Sequence, residues 1–136
     1  MKTVLFVCSK NGGKSQMAAA VMRKGAGEEL RVVSGGTNPG SGLNAQSVAS
    51  LEARGYSVEG EYAKAIAPET LEAADVVVIL GNEAQLDVPE GRRVERWLTR
   101  EPSEEGIEGA ERMNLILDDI EQRVEALRED LREGSR

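Results

Sequence analysis

The sequence predicts an α/β domain built on a mostly parallel sheet. Three observations point there. Thr3–Val7 and Val76–Leu80 are apolar runs without polar alternation, as in strands covered on both faces. Helix-forming stretches separate the strand-like runs, so successive strands need crossovers. Glycine-bearing turns end most of these stretches. The 136 residues, 40% hydrophobic and 30% charged, suit one soluble domain spanning 1–136.

In chain order, Thr3–Val7 is the first predicted strand and residues 8–14 form a turn with two glycines. Ser15–Lys24 is rich in good helix formers, and Gly25 and Gly27 follow as stops. Leu30–Ser34 is a second strand, ended by Gly35 and Gly36. After a turn-rich stretch from Thr37 to Gly42, Asn44 can cap a helix from Ala45 to Arg54. Val48, Ala49 and Leu51 are its expected inner face and Gly55 its stop. Pro68 suits the first turn of a short helix reaching Ala74. Val76–Leu80 is the expected central strand and Arg93–Leu98 an edge strand. From Glu104 to Glu133 a long helix is expected, with Met113, Ile116, Ile120, Val124, Leu127 and Leu131 as its apolar stripe.

Composition removes whole classes of chemistry. With no histidine, neither a Ser-His-Asp triad, a Cys-His pair nor a histidine-ligated zinc is available. The single cysteine cannot form an internal disulfide, so a reducing cytoplasm is expected. No apolar run has the length of a membrane span, and the N-terminus lacks the pattern of a signal peptide. The net charge of −7 argues against nonspecific nucleic-acid binding. Charge is nevertheless segregated. Residues 1–27 carry five Lys or Arg and no acid, whereas residues 82–136 carry sixteen acids and nine Arg. A small anion is the partner that a basic N-terminal segment suits.

In a parallel sheet, ligands bind beyond the C-terminal strand ends. The first such loop is Cys8-Ser9-Lys10-Asn11-Gly12-Gly13-Lys14-Ser15, leading straight into a helix. Glycines and Asn let the backbone curl so that N–H groups face inward, and the helix start adds more. Ser9, Lys10, Asn11, Gly12, Gly13 and Lys14 are the expected oxyanion-binding residues. A cysteine at the head of this loop, near a helix N-terminus and a cation, is favoured as thiolate and needs no histidine base. Ser15 can hydrogen-bond that sulfur. No metal is required. Gly13-Lys14-Ser15 also matches the end of a nucleotide-binding P-loop, but Cys8 stands where its first glycine belongs, and Leu80 is followed by Gly81-Asn82 rather than a metal-holding Asp.

The run from Val4 to Ala18 resembles the active-site segment of the low-molecular-weight protein tyrosine phosphatase superfamily, C-x5-R-[ST] with Asn three residues after Cys. The resemblance extends through Ser34-Gly35-Gly36-Thr37, Asn44 and its helix, Ala73-Ala74-Asp75, and Trp97 to Pro102. It implies a three-layer fold with a four-stranded parallel sheet flanked by helices. Ser15-Gln16-Met17-Ala18 is closer to the arsenate reductase branch. The stretch Asn11–Ala18 is similar to the mycothiol-dependent arsenate reductases, which also carry Lys in place of Arg. By this resemblance Cys8 is the nucleophile or arsenic ligand, Lys14 neutralises the oxyanion and Asn11 shapes the loop.

Departures from the pattern carry chemistry. Lys14 is a point charge without the rigid fork of Arg. The family's acidic Asp-Pro pair is Glu101-Pro102 here, either a proton donor or a solvated loop carboxylate. Residues 103–109 contain no aromatic on which an aryl substrate could stack. No cysteine lies between Gly81 and Arg93, where thioredoxin-coupled reductases keep two more. Reducing arsenate takes two electrons, and one cysteine cannot supply them as a disulfide. The resemblance therefore implies mycothiol as co-substrate, an arsenic–mycothiol adduct, and a glutaredoxin-like mycoredoxin that reduces it. The alternatives are a protein tyrosine phosphatase and a non-catalytic oxyanion-binding module.

Overall fold

The structure, a computed structural model, describes residues 1–133. Four strands, β1 (Lys2–Cys8), β2 (Leu30–Gly36), β3 (Val76–Leu80) and β4 (Arg93–Trp97), form one sheet. Their order is β2-β1-β3-β4 and every neighbouring pair is parallel. Among the described residues the α-helices are α1 (Lys14–Ala26), α2 (Ala45–Ala53), α3 (Pro68–Ala73) and α4 (Gly109–Glu133). The chain leaves β1 toward one side to make β2, then returns past β1 to make β3. The carboxyl end of β1 is thus the point where strand order reverses, and a crevice opens there in such sheets. The register pairs Cys8 with Gly36 at that end.

Alternation along the central strands divides the core. Val4, Phe6, Val76, Val78 and Leu80 face one side and pack with α1, Leu51 of α2 and α4. Leu5, Val7, Val77 and Ile79 face the other, where Ala74, Ala84 and the partly buried Ile66, Leu71, Leu86 and Val88 cover them. The layers are unequal: three helices cover one face, and a six-residue helix with loop segments covers the other.

Several boundaries differ from the sequence expectation, each for a local reason. The last helix starts at Gly109, not Glu104. Pro102–Glu105 forms a separate 3-10 turn ended by Gly106 in the left-handed conformation, so the acidic stretch is broken before the helix begins. Helix α1 runs through Gly25 to Ala26, and Gly27, at φ +57°, supplies the stop. In α2 the inner face is polar. Ser47, Ser50 and Leu51 are buried, whereas Val48 is only half-buried and Ala49 is exposed. The reason is its partner: Ser47 Oγ donates to Met113 Sδ at 3.6 Å and Ser50 Oγ to Asn114 Oδ1 at 2.8 Å, both on α4. The apolar stripe of α4 is buried as expected, together with Leu117.

Gly36 has a steric role at the crevice. A Cβ there would lie 2.7 Å from Ser9 O and 3.1 Å from Asn11 Cβ. Gly36→Ala must push the loop after β1 away from β2. The expected cost is about 1–3 kcal/mol, as for other overpacked sites, read as a lower urea midpoint, together with weaker binding of phosphate; an unchanged midpoint and unchanged phosphate affinity would show that the loop does not rest against β2.

Candidate functional site

The loop after β1 is held by its carbonyl groups. Cys8 O accepts from Thr37 N at 3.2 Å, Ser9 O from Asn38 N at 2.8 Å, Lys10 O from Gly40 N at 3.0 Å and Gly12 O from Asn44 N at 2.7 Å. Asn11 O accepts from the Gln16 side-chain amide at 3.1 Å. All these acceptors lie outside the curl. Because each peptide unit is planar and trans, its N–H points opposite to its C=O. The amides of Ser9, Lys10, Asn11, Gly12 and Gly13 therefore face inward. Asn11 N donates to Cys8 Sγ at 3.2 Å, and the others meet no acceptor among the described residues. Helix α1 opens beside them with Gly13 as its N-cap residue, no side-chain cap and no acid in its first turn. Its positive end is left for an anion from outside.

Cys8, at the head of this curl, is half-buried and is a free thiol. Its Sγ lies 2.9 Å from Ser15 Oγ. The Asn11 side-chain amide donates to that same Ser15 oxygen at 2.8 Å. With an acceptor site on its oxygen occupied, the Ser15 hydroxyl is free to direct its proton at the sulfur. The Asn11 amide and the Ser15 hydroxyl thus converge on Cys8 Sγ.

Asn11 is the hub. It is fully buried and sits at φ +54°, the left-handed region that few non-glycine residues adopt. Its side-chain oxygen accepts from Lys64 N and from Gln16 Nε2, both at 3.1 Å. Gln16 also donates to Tyr62 O at 3.1 Å. The sequence marked Asn11 but not Gln16, Tyr62 or Lys64. The available signal was one amide side chain in an otherwise apolar helix segment, and its buried position on α1 explains it.

Of the remaining candidates, Lys14 is the first residue of α1 and Lys10 is exposed on the loop. Both line a cavity of about 400 Å³, together with Gly12, Gly13 and Arg112. Cys8 is not in its wall.

Glu101 is placed for a different task from proton donation. Its carboxylate caps the 3-10 turn, accepting from Ser103 N at 3.2 Å and Ser103 Oγ at 2.8 Å. It also takes a two-pronged contact from Arg112, with Nε and Nη2 each 2.7 Å from a carboxylate oxygen. The Arg112 hydrogen bond, with help from Ser103 and against the opposing effect of burial, holds its carboxyl down to about 2. At neutral pH it is ionised and has no proton to give. A depressed carboxyl stabilises the fold above its unfolded value and loses that contribution as pH falls through the folded one. The stability gap between the wild type and Glu101→Gln should therefore be full at pH 7 and shrink as pH drops from about 4.5 toward about 2. Urea midpoints of both proteins across that window check the sign; a gap that widens on acidification would contradict it.

Residues 3–136 match the family described as low molecular weight phosphotyrosine protein phosphatase. Arsenate reductase 1 of Staphylococcus haemolyticus is 28% identical over 133 residues, which is 96% of this chain and 97% of that protein. The thioredoxin-dependent arsenate reductase of Corynebacterium glutamicum has a TM-score of 0.85 at 25% identity, over 98% of this chain. This chain spans 63% of that longer one. A low molecular weight phosphotyrosine phosphatase of Vibrio cholerae shares the fold, with a TM-score of 0.79 at 18% identity over 98% of this chain and 99% of that one.

Proposed function

The chain belongs to the low molecular weight phosphotyrosine protein phosphatase family, and we propose that within it this protein is an arsenate reductase that draws its second thiol from outside. The observation that carries the proposal is the curl of inward amides with Cys8 Sγ at its head, in a chain with one cysteine. The names of the Staphylococcus and Corynebacterium relatives support arsenate as the oxyanion.

The chemistry balances without a general acid. Arsenate bound as its monoanion carries the proton that its leaving oxygen needs. Cys8 thiolate forms a sulfur–arsenic bond, and water departs. Ser9, Lys10, Gly12 and Gly13 present amides to the remaining oxygens, and Lys14 adds a full positive charge. An external thiolate then displaces Cys8 from arsenic, giving a thiol–arsenic(V) adduct and returning Cys8 as thiolate. No electron has yet moved, so the protein itself acts as a transferase. A redoxin thiolate next attacks the sulfur of the adduct. A disulfide forms, the sulfur–arsenic pair stays on arsenic, and arsenite leaves. Mycothiol, with a mycoredoxin, is the pair that the loop's resemblance favours, in a reducing cytoplasm.

A phosphatase acting on aryl phosphates would have to do without two aids. Glu101 is ionised by Arg112, and residues 103–109 offer no aromatic surface. The test is arsenite formation from arsenate with mycothiol and mycoredoxin, and with glutathione and a glutaredoxin, beside hydrolysis of a chromogenic aryl phosphate. Arsenite formation that needs the external thiol and falls by roughly 10³-fold or more in Cys8→Ser is expected. Aryl phosphate turnover without arsenite from either thiol would overturn the reading. In the same preparation Ser15→Ala should slow alkylation of Cys8 at pH 7 by roughly tenfold, the loss expected for one hydrogen bond to a charged sulfur; an unchanged rate would remove Ser15 from the site.

A further inference from the structure

We infer that Lys64 is a positioning residue for the chemistry at Cys8, and that its ammonium holds the oxyanion loop in shape through Asn11. The inference rests on the reading of Cys8 as the nucleophile.

The loop after β1 is braced from outside by residues 61–65. This stretch is neither helix nor strand, and a single parallel bridge, Gly36 to Ala65, joins it to the sheet. Its main chain nevertheless meets the loop at the hub. Lys64 N donates to Asn11 Oδ1 at 3.1 Å, Lys64 O accepts from Gly36 N at 2.8 Å, and Tyr62 O accepts from Gln16 Nε2 at 3.1 Å. A stretch without regular structure keeps such contacts only if something else fixes it.

The Lys64 side chain does so. Its Nζ donates to Ser34 Oγ on β2 at 3.1 Å and turns back to Tyr62 O at 3.4 Å. It also lies 3.7 Å from Glu61 Oε1, which Arg23 of α1 approaches at 3.4 Å. The ammonium stands over the Tyr62 ring, 5.3 Å from its centre. One charge thus ties the stretch to β2, to itself and, through Glu61, to α1. Burial pushes the Lys64 ammonium below the usual lysine value, and Glu61 pulls the other way.

The surroundings are rich in acceptors. Asn11 O, Asn11 Oδ1 and Tyr62 O all take hydrogen bonds from one group, Gln16 Nε2. Gln16 Oε1 is buried and has no partner among the described residues. No donor therefore orients that amide from its oxygen side; its three acceptors do so alone, and one of them, Tyr62 O, is held by Lys64. Without the ammonium, the buried Ser34 Oγ loses its bond, Tyr62 O is released and the Gln16 amide is free to turn. Asn11 then loses the donors that keep it at φ +54° with its amide on Ser15.

Alkylation of Cys8 at pH 7 and phosphate binding test the role, and neither needs turnover. Lys64→Met removes the charge and keeps an unbranched side chain. It should slow alkylation and weaken phosphate binding, each roughly tenfold, the worth of one charged hydrogen bond. Lys64→Arg keeps the charge and should recover most of both. Asn11→Gly tolerates the left-handed backbone but lacks the side chain. If Lys64 acts through Asn11, adding Lys64→Met to Asn11→Gly changes neither quantity further. A lower urea midpoint for Lys64→Met, with alkylation and phosphate affinity of the folded protein unchanged, would show that Lys64 serves only the fold. Additive effects of Lys64→Met and Asn11→Gly, or a Lys64→Arg no better than Lys64→Met, would equally overturn the inference. If these losses and their recovery occur but the wild type yields no arsenite with any thiol, the reductase reading fails and the role of Lys64 stands.

Discussion

Everything in the site depends on where the loop's carbonyl oxygens go. Five consecutive carbonyls, from Cys8 to Gly12, are tied to donors outside the curl, four to backbone amides of the segment from Thr37 to Asn44 and one to Gln16. Each such bond is worth only about 1 kcal/mol net. Together they turn the amides inward, which no side chain in the loop could do alone. The cost is a non-glycine residue in the left-handed region at Asn11, which its side-chain contacts to Ser15, Gln16 and Lys64 offset. The same contacts orient Ser15 toward the Cys8 sulfur. Backbone shape and sulfur activation are thus one network, centred on a single amide side chain.

The electrostatic design follows from that frame. Helix α1 has neither a capping side chain nor an acid in its first turn, and its charged residues in the last turn, Arg23 and Lys24, suit the negative end. The N-terminal end is left for an anion from outside. Lys14 contributes charge without the two-pronged grip of an arginine. The neighbouring Arg112 keeps that grip but spends it on Glu101, so the carboxylate that would donate a proton in a phosphatase is fixed as a base-like anion.

Much of the architecture was legible in the sequence. The apolar runs at Thr3–Val7 and Val76–Leu80 read as strands covered on both sides, and the helices between them call for parallel pairing. Cys8, Asn11, Gly12, Gly13 and Ser15 were marked by residue type, by their place at the end of the first strand and the mouth of a helix, and by the family resemblance. The misses have common causes. The 3-10 turn at Pro102–Glu105 was hidden because acidic residues and a following amphipathic stripe mimic helix on both sides of Gly106. The polar inner face of α2 was missed because Ser47 and Ser50 are buried by hydrogen bonds to α4, which periodicity of apolar residues cannot report. Gln16 and Arg112 were overlooked because their partners, Tyr62 and Glu101, lie 46 and 11 positions away in the chain. Long-range pairing is decided by topology, and a helix face shows only that a residue is polar.

The central claim is that the curl after β1 binds a tetrahedral oxyanion against the Cys8 sulfur. The most direct measurement is the rate of Cys8 alkylation during titration with phosphate, an oxyanion of the same shape that thiols do not reduce, while the backbone signals of Ser9, Lys10, Gly12 and Gly13 are followed. The account predicts saturable protection of the thiol with those four amides moving at the same midpoint. An alkylation rate indifferent to phosphate, with the four amides unmoved, would contradict it.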